Sequence, residues 1–270
     1  MYRIVHSLSL DRLEYVDSHC HLDRYENVDE ILQRAWEAGV RCIVSISVHR
    51  ENTARVIEIS ERFPWVYASA GLHPCDVDDD PLEDLESWLV NKALHNKVLA
   101  LGETGIDLQD KSPPLARQLQ AFEAHVNAAL HTGLPLIVHI RGGFDAFFDF
   151  WKHWDKNTPL GVLHCFTGTW NQAKAVLDMG WYLSFSGIVT FKRNGALSEV
   201  AEKVPANRFI LETDAPWLAP EPYRGRENEP SYLVYTAKKI AELRCCSTSE
   251  IQYCTTENFY RLFGKIQKVY

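Results

Sequence analysis

The sequence predicts an α/β fold, a (β/α)8 TIM barrel. Eight short apolar runs are spread over the 270 residues, and each resembles a strand buried on both faces, as the strands of parallel sheets are. Helical patterns fill the intervals, and roughly 250 residues is the usual length of eight β/α units. A doubly wound open sheet, the alternative, usually has fewer strands, and no G-x-G-x-x-G follows the first run.

The eight predicted strands are separated by intervals long enough for a helix. They are residues 14–19, 41–47, 65–73, 97–104, 134–140, 160–166, 181–189 and 208–214. After the first strand, one helical face carries Ile31, Leu32, Ala35 and Trp36, with Gly39 as the predicted C-cap.

A longer helical stripe precedes the fifth strand and ends at Gly133. Its members are Leu115, Leu119, Phe122, Val126 and Ala129. Near the C-terminus, Ser247 and Glu250 have the spacing of a capping box that begins a last helix.

Length and composition fit one large domain or two small ones, and the predicted barrel makes residues 1–270 one domain of a cytoplasmic protein, with 1–13 as a short N-terminal extension. The formal net charge of −8 argues against a general nucleic-acid coat protein, but not against an enzyme whose bound metal ions supply positive charge. Seven scattered cysteines without C-x-x-C indicate a reducing compartment. We expect no signal peptide, no membrane span and no obligate protein partner.

Metal-binding residue types stand at the predicted carboxyl ends of six different strands, where barrels place their active sites. They are His19, His21, His73, Glu103, His139, His164 and Asp214. A single histidine at a strand end is commonly a hydrogen-bonded core residue. A whole set at one end of a barrel is costly to bury unless its members are paired or coordinated, and it predicts a metal site. The other histidines are interpreted as surface or structural residues.

The set exceeds one tetrahedral shell and predicts two divalent ions, roughly 3.5–4 Å apart. His19, His21 and Asp214 lie on adjacent strands of a closed barrel and form one site, whereas His139 and His164 form the other. Glu103 bridges the two. Asp214 is placed to accept a proton from an attacking water. Mg, Mn and Zn are all compatible with these ligands.

Cys20 stands between two of the predicted ligands and is itself a potential one. Successive side chains of a strand point to opposite faces, so His19 and His21 share the barrel axis while Cys20 faces the helices. We therefore expect Cys20 to be a small buried apolar residue and not a thiolate ligand.

The chain resembles the TatD family of metal-dependent deoxyribonucleases, which are amidohydrolase-like barrels. The resemblance rests on VDSHCHLD (16–23), GLHP (71–74), LGETGID (101–107), PLIVHIR (135–141), HCFTG (164–168), ILETDAPWL (210–218), PYRGRENEP (222–230) and TTENFYRLF (255–263). It implies a divalent-metal hydrolase of DNA phosphodiesters, typically a 3′-to-5′ exonuclease, whose metal ligands match His19, His21, Glu103, His139, His164 and Asp214. It also implies a position for His73 near the scissile phosphate.

Three functions remain to be separated. A DNA phosphodiesterase agrees with Trp217, Tyr223, Arg224 and Arg226, since aromatic and arginine side chains suit the stacking of bases and the binding of a strand. A hydrolase of a small amide, lactone or phosphate ester would use the same two-metal site. A non-catalytic barrel would have lost ligands, and none is missing. Arg141 is predicted either to bind a phosphate or to form a salt bridge within the barrel.

Overall fold

The computed structural model describes residues 14–266, except for the side chain of Asp79. The strands are β1 (Tyr15–Cys20), β2 (Val40–Ser45), β3 (Val66–Ala70), β4 (Val98–Asp107), β5 (Leu136–Arg141), β6 (Gly161–Leu163), β7 (Tyr182–Phe185) and β8 (Phe209–Leu211). The helices are α1 (Val28–Glu37), α2 (Arg50–Arg62), α3 (Leu85–Ala93), α4 (Leu115–Thr132), α5 (Phe144–Lys152), α6 (Trp170–Asp178), α7 (Leu197–Lys203), α8 (Leu233–Leu243) and α9 (Thr248–Leu262).

All eight strands belong to one parallel sheet in chain order, so the predicted barrel is confirmed. A seam between β1 and β8 nearly closes it. At this seam Cys20 and Ala215 form a parallel bridge, and the backbone N–H of His21 donates to the Ala215 carbonyl at 2.8 Å. The backbone N–H of Asp214 donates to the His19 carbonyl at 2.9 Å. The seam therefore lies beside three of the predicted metal ligands.

Several predicted strand ends are wrong. β4 and β5 continue past Glu103 and His139, whereas β3, β6 and β8 end before their predicted site residues. At β6 and β8 the strand stops just before Cys165 and Asp214, whose φ angles of 44° and 56° are left-handed values that an extended strand does not contain. Polar residues of the site therefore lie both within strands and in the first turns after them.

The barrel has an apolar interior that is closed at its lower end. Side chains such as Val44, Leu99 and Ile210 fill the axis, and Phe259 and Phe263 from the end of the chain join the same cluster. A second, larger cluster lies between the sheet and the helices. Because α9 packs against the amino-terminal end of the barrel, the polar cleft opens only at the carboxyl ends of the strands.

Most of the predicted helical features are confirmed, with one error. Gly133 caps α4 at a φ of 72°, and Ser247 and Glu250 form the capping box of α9. Trp36 was placed on the buried face of α1 but is 46% exposed, because it lies beyond the buried stripe, where the Arg41 guanidinium covers its ring at 4.0 Å.

Within residues 14–266, no helix combines the length and apolarity that crossing a membrane requires.

Candidate metal centre

The end of β1 directs two imidazoles into the barrel. The pairing of β1 with β2 shifts register between Asp17 and Cys20, a stretch that contains His19, and the side chains of His19 and His21 converge. Their Nε2 atoms are 3.2 Å apart. Cys20 is fully buried in the cluster between sheet and helices, with its sulfur 3.8 Å from the Ala215 carbonyl. The predicted alternation at this tripeptide is therefore confirmed.

Asp214 completes the first group of candidate ligands. Its backbone is fixed by the hydrogen bond to His19 across the seam, and its positive φ turns the side chain back toward the axis. Oδ1 lies 3.6 Å from the Nε2 of His19 and 3.5 Å from the Nε2 of His21. Three atoms from opposite ends of the chain thus converge on one point.

Glu103 lies in the middle of the cluster because β3 and β4 approach each other very closely. A Cβ on Gly71 would come within 2.1 Å of the Gly102 carbonyl carbon, so only glycine fits there. The backbone N–H of Glu103 donates to the Ser47 carbonyl at 2.8 Å. The carboxylate is 3% exposed, and its Oε2 lies 3.3 Å from the Nε2 of His19.

The other oxygen of Glu103 faces a second group of imidazoles. Oε1 lies 2.8 Å from His164 Nε2, 3.2 Å from His139 Nδ1 and 3.4 Å from His73 Nε2. The nitrogens of His139 and His164 are themselves 3.2 Å apart. The structure thus brings together all six predicted metal ligands, with one carboxylate between two groups, and adds His73 to the second group.

Two carboxylates that sequence reasoning missed stand behind the imidazoles. Asp107 Oδ2 accepts a hydrogen bond from His139 Nε2 at 3.0 Å, and Glu212 Oε1 faces His164 Nδ1 at 3.5 Å. A carboxylate that is hydrogen-bonded in this way, as Asp107 is, orients a ligand histidine and raises its basicity, whereas Glu212 is near His164 without forming a hydrogen bond to it. The sequence contained a signal for both, because Asp107 lies four residues after Glu103 and Glu212 lies two residues before Asp214. An even spacing along a strand places two side chains on the same face.

His73 is positioned from the helix layer. The backbone N–H of Leu72 donates to Nε2 of the fully buried His125 at 3.1 Å, and His125 Nδ1 donates to the Ala121 carbonyl at 2.7 Å. Burial lowers the pKa of His125 to about 4. His125 is therefore a neutral structural residue, as the sequence predicted, and it fixes the backbone beside His73.

The carboxylates and imidazoles of the cluster shift one another's pKa values. Burial opposes the charged form of Glu103, yet the imidazoles of His164 and His73 lower its pKa well below the usual range. Burial also opposes protonation of His164, but Glu103 raises the pKa of that imidazole well above its usual value. Burial lowers the pKa of His19, which stacks on His164 at 3.9 Å. A proton is therefore held between Glu103 and His164, where a cation would compete with it.

The arrangement fits divalent cations. Three sets of donor atoms lie within 4.8 Å of one another, namely His19, Glu103 and His164, then His19, His21 and Asp214, then His73, Glu103 and His139. Two imidazole nitrogens 3.2 Å apart repel unless a proton or a cation lies between them. Within the described residues, Nδ1 of His19 and of His21 has no hydrogen-bond partner. The Nε2 atoms, by contrast, lie next to the carboxylate oxygens of Glu103 and Asp214, at 3.3 to 3.9 Å, which makes them the candidate ligand atoms.

Above the cluster a cleft of about 600 Å³ opens to solvent. Its mouth carries Arg24, Arg141, Ile188, Trp217 and Leu218. Arg141 is exposed, and its side chain makes no ion pair within residues 14–266, so the predicted internal salt bridge is not formed. Trp217 is 49% exposed and stands edge-on to the His21 ring at 4.8 Å.

Comparison with known proteins gives consistent results. The family model of TatD-related DNases matches residues 16–264. YabD of Bacillus subtilis, described as an uncharacterized metal-dependent hydrolase, is 38% identical over 250 residues, covering 92% of this chain and 98% of that protein.

Solved structures agree with the fold. The crystal structure of YjjV, a TatD homologue from Escherichia coli, superposes with a TM-score of 0.85 at 32% identity, covering 93% of this chain and 98% of the other. An uncharacterized amidohydrolase from Saccharomyces cerevisiae superposes with a TM-score of 0.80 at 17% identity, covering 93% and 99% of the two chains, and supports the fold alone.

Proposed function

Because this chain belongs to the TatD-related DNase family, we propose that it hydrolyses phosphodiester bonds of DNA. Family membership makes it a metal-dependent hydrolase. The proposal adds the substrate and the direction, removal of nucleotides from the 3′ end. One observation carries it: a buried carboxylate, Glu103, lies between two ligand groups below a cleft whose mouth carries an exposed arginine and an exposed tryptophan.

We assign the ligands to two divalent ions, of Mg, Mn or Zn. His19, His21 and Asp214 would hold one ion, His139 and His164 would hold the other, and Glu103 would serve both. The separation of the two Glu103 oxygens supports this division, since Oε2 faces His19 whereas Oε1 faces the second group. Bound ions would polarise a phosphate oxygen and lower the pKa of a water molecule.

In the proposed reaction the side chains position the phosphate and accept a proton. Burial opposes ionisation of Asp214, but the hydrogen bond to His21 and the nearby imidazoles lower its pKa, so a carboxylate is available as a general base. His73, whose Nε2 is 3.4 Å from Glu103, is assigned to the scissile phosphate. Arg141 presents an exposed planar guanidinium, which suits a second phosphate oxygen.

The exposed indole of Trp217 favours a nucleotide substrate rather than a small compact one. Aromatic side chains bind single strands by stacking on bases, and this one stands directly beside the candidate ligand His21.

All seven cysteines are free thiols, which supports our proposal of a cytoplasmic location.

The test is hydrolysis of single-stranded DNA with Mg²⁺ or Mn²⁺, with and without EDTA. We expect nucleotide release that stops on chelation and in Glu103→Gln, while the exposed Glu199→Gln control on α7 remains active. Elemental analysis of both variants measures the metal independently of activity. If fully metal-loaded protein leaves DNA intact but opens a lactone or an amide, the phosphodiesterase assignment is wrong and the small-molecule alternative replaces it.

A further inference from the structure

Four cations stand together on the loops that follow β7 and β8. They are Lys192, Arg193, Arg224 and Arg226, here called the basic rim. All four are exposed, and none forms an ion pair within the part of the chain that the structure describes. Two exposed carboxylates, Glu221 and Glu227, accompany them. In a protein of net charge −8, four unpaired cations in two touching loops form a local positive field.

The basic rim is continuous with the cleft. Its first loop begins with the 3-10 turn Gly187–Thr190, which packs on the second loop so closely that a Cβ on Gly187 would come within 2.2 Å of the Leu218 carbonyl oxygen. The Thr190 hydroxyl accepts from the backbone N–H of Glu221 at 2.9 Å. Since Ile188 and Leu218 line the cleft, the same two loops form its wall and carry the cations.

The rim is also held in place. The Arg224 guanidinium packs 3.7 Å above the ring of Phe191, which joins the two loops directly. The buried Asn228 amide donates to the carbonyls of Thr213 and Trp217 at 2.9 and 2.6 Å. Binding a ligand here therefore requires little ordering of the backbone, which limits the entropic cost.

The opposite side of the mouth has the reverse charge. The segment 75–84, after β3, contains six acidic residues and no basic ones, and its Asp76 lines the cleft. Arg50 from α2 pairs with Asp80 and Asp84 of this segment, and Arg117 from α4 lies 3.4 Å from Asp78, so these two cations leave the segment with a formal excess of negative charge. A polyanion entering the cleft is thus repelled by the β3 side and attracted by the β7–β8 side.

We propose that the basic rim binds the backbone of single-stranded DNA just beyond the nucleotide being hydrolysed, so that the strand leaves the cleft over β7 and β8. This inference rests on the proposed function. The partner is a single strand because Glu103, at the floor of the cleft, is almost completely buried, and a phosphate within a duplex cannot descend to it without unpairing.

The test measures binding without catalysis, in EDTA, by fluorescence anisotropy of a labelled single strand of about twenty nucleotides. The variant is Lys192→Gln/Arg193→Gln, which leaves Arg224 on its aromatic support. The control is Lys152→Gln/Lys156→Gln, which removes the same charge at the end of α5 and just after it, at the other end of the barrel. Because each phosphate contact contributes about 0.7 to the salt dependence of affinity on single strands, the slope should fall by about 1.4 in the rim variant. It should not change in the control.

Hydrolysis with Mn²⁺, measured separately, distinguishes the two proposals. If the strand binds in EDTA and the slope falls only in the rim variant, the basic rim is supported. If the same protein then releases no nucleotide with Mn²⁺, only the phosphodiesterase assignment is refuted. If the wild-type protein degrades DNA but the rim variant and the control bind with equal slopes, the rim is refuted and the function stands. Absence of binding by the wild-type protein in EDTA also refutes the rim.

Discussion

Protonation of His125 should destabilise the fold in acid by an amount that the structure defines. The side chain is fully buried on α4 and its pKa is lowered to about 4, against about 6.5 for a free imidazole. Between these two pH values the unfolded chain binds a proton that the folded chain does not, so the free energy of unfolding falls as the pH falls. The difference of about 2.5 pH units corresponds to a loss of about 3 kcal/mol, complete near pH 4.

The assay is urea unfolding at several pH values between about 7.5 and 4.5. EDTA is present so that the pH dependence of metal binding does not contribute to the measured stability. The variant His125→Gln retains an acceptor for the Leu72 N–H but does not titrate. His131→Gln, on the exposed side of the same helix, is the matched control. Relative to the wild type, we expect His125→Gln to be less sensitive to acid by about 3 kcal/mol, and His131→Gln to be unchanged. Equal acid sensitivity of the wild type and His125→Gln would refute the reasoning.

Three further predictions concern the cleft. Asp107→Asn should weaken Mn²⁺ binding, measured by calorimetry, about 10- to 100-fold, because the candidate ligand His139 loses its carboxylate partner. The exposed Asp110→Asn is the control and should not weaken it; equal affinities of the two variants would exclude a role of Asp107 in metal binding. Trp217→Ala should raise KM for a DNA single strand about 5- to 100-fold if the indole stacks on a base, with Trp36→Ala as the control; an unaltered KM would remove the stacking contact. Cys20→Ala should retain its full metal content by elemental analysis, since the thiol faces the helix layer; lost metal would contradict that orientation.

The ligand set could be predicted from the sequence because it depends on two regular features. The period of two along β1 places His19 and His21 on one side, and the closure of eight strands brings Asp214 beside them. Both features follow from strand geometry alone. The presence of Glu103 in the cluster follows in the same way from its position on the fourth strand, whereas its central place also requires the close approach of β3 and β4 at Gly71.

The two supporting carboxylates were missed although their even spacing from a predicted ligand was visible, because the spacing alone does not show which imidazole each one meets. The sequence pattern ended the fourth strand at residue 104, whereas β4 continues to Asp107 and brings that carboxylate to His139. Glu212 lay inside the predicted strand 208–214, two residues before Asp214, but the pattern of that strand does not show that His164 lies next to it. Contacts between loops, such as Arg224 on Phe191, depend on tertiary packing and leave no local periodic pattern.

The seam between β1 and β8 has a consequence for the order of events during synthesis. His19 and Asp214 meet there although 195 residues separate them, so the first group of ligands is incomplete until almost the whole chain has left the ribosome. A nascent chain that has reached α7 already carries five histidines of the cluster but lacks the acid at the seam. Maturation of the centre is therefore a late step, and a prematurely terminated product remains without the aspartate that the proposed chemistry requires.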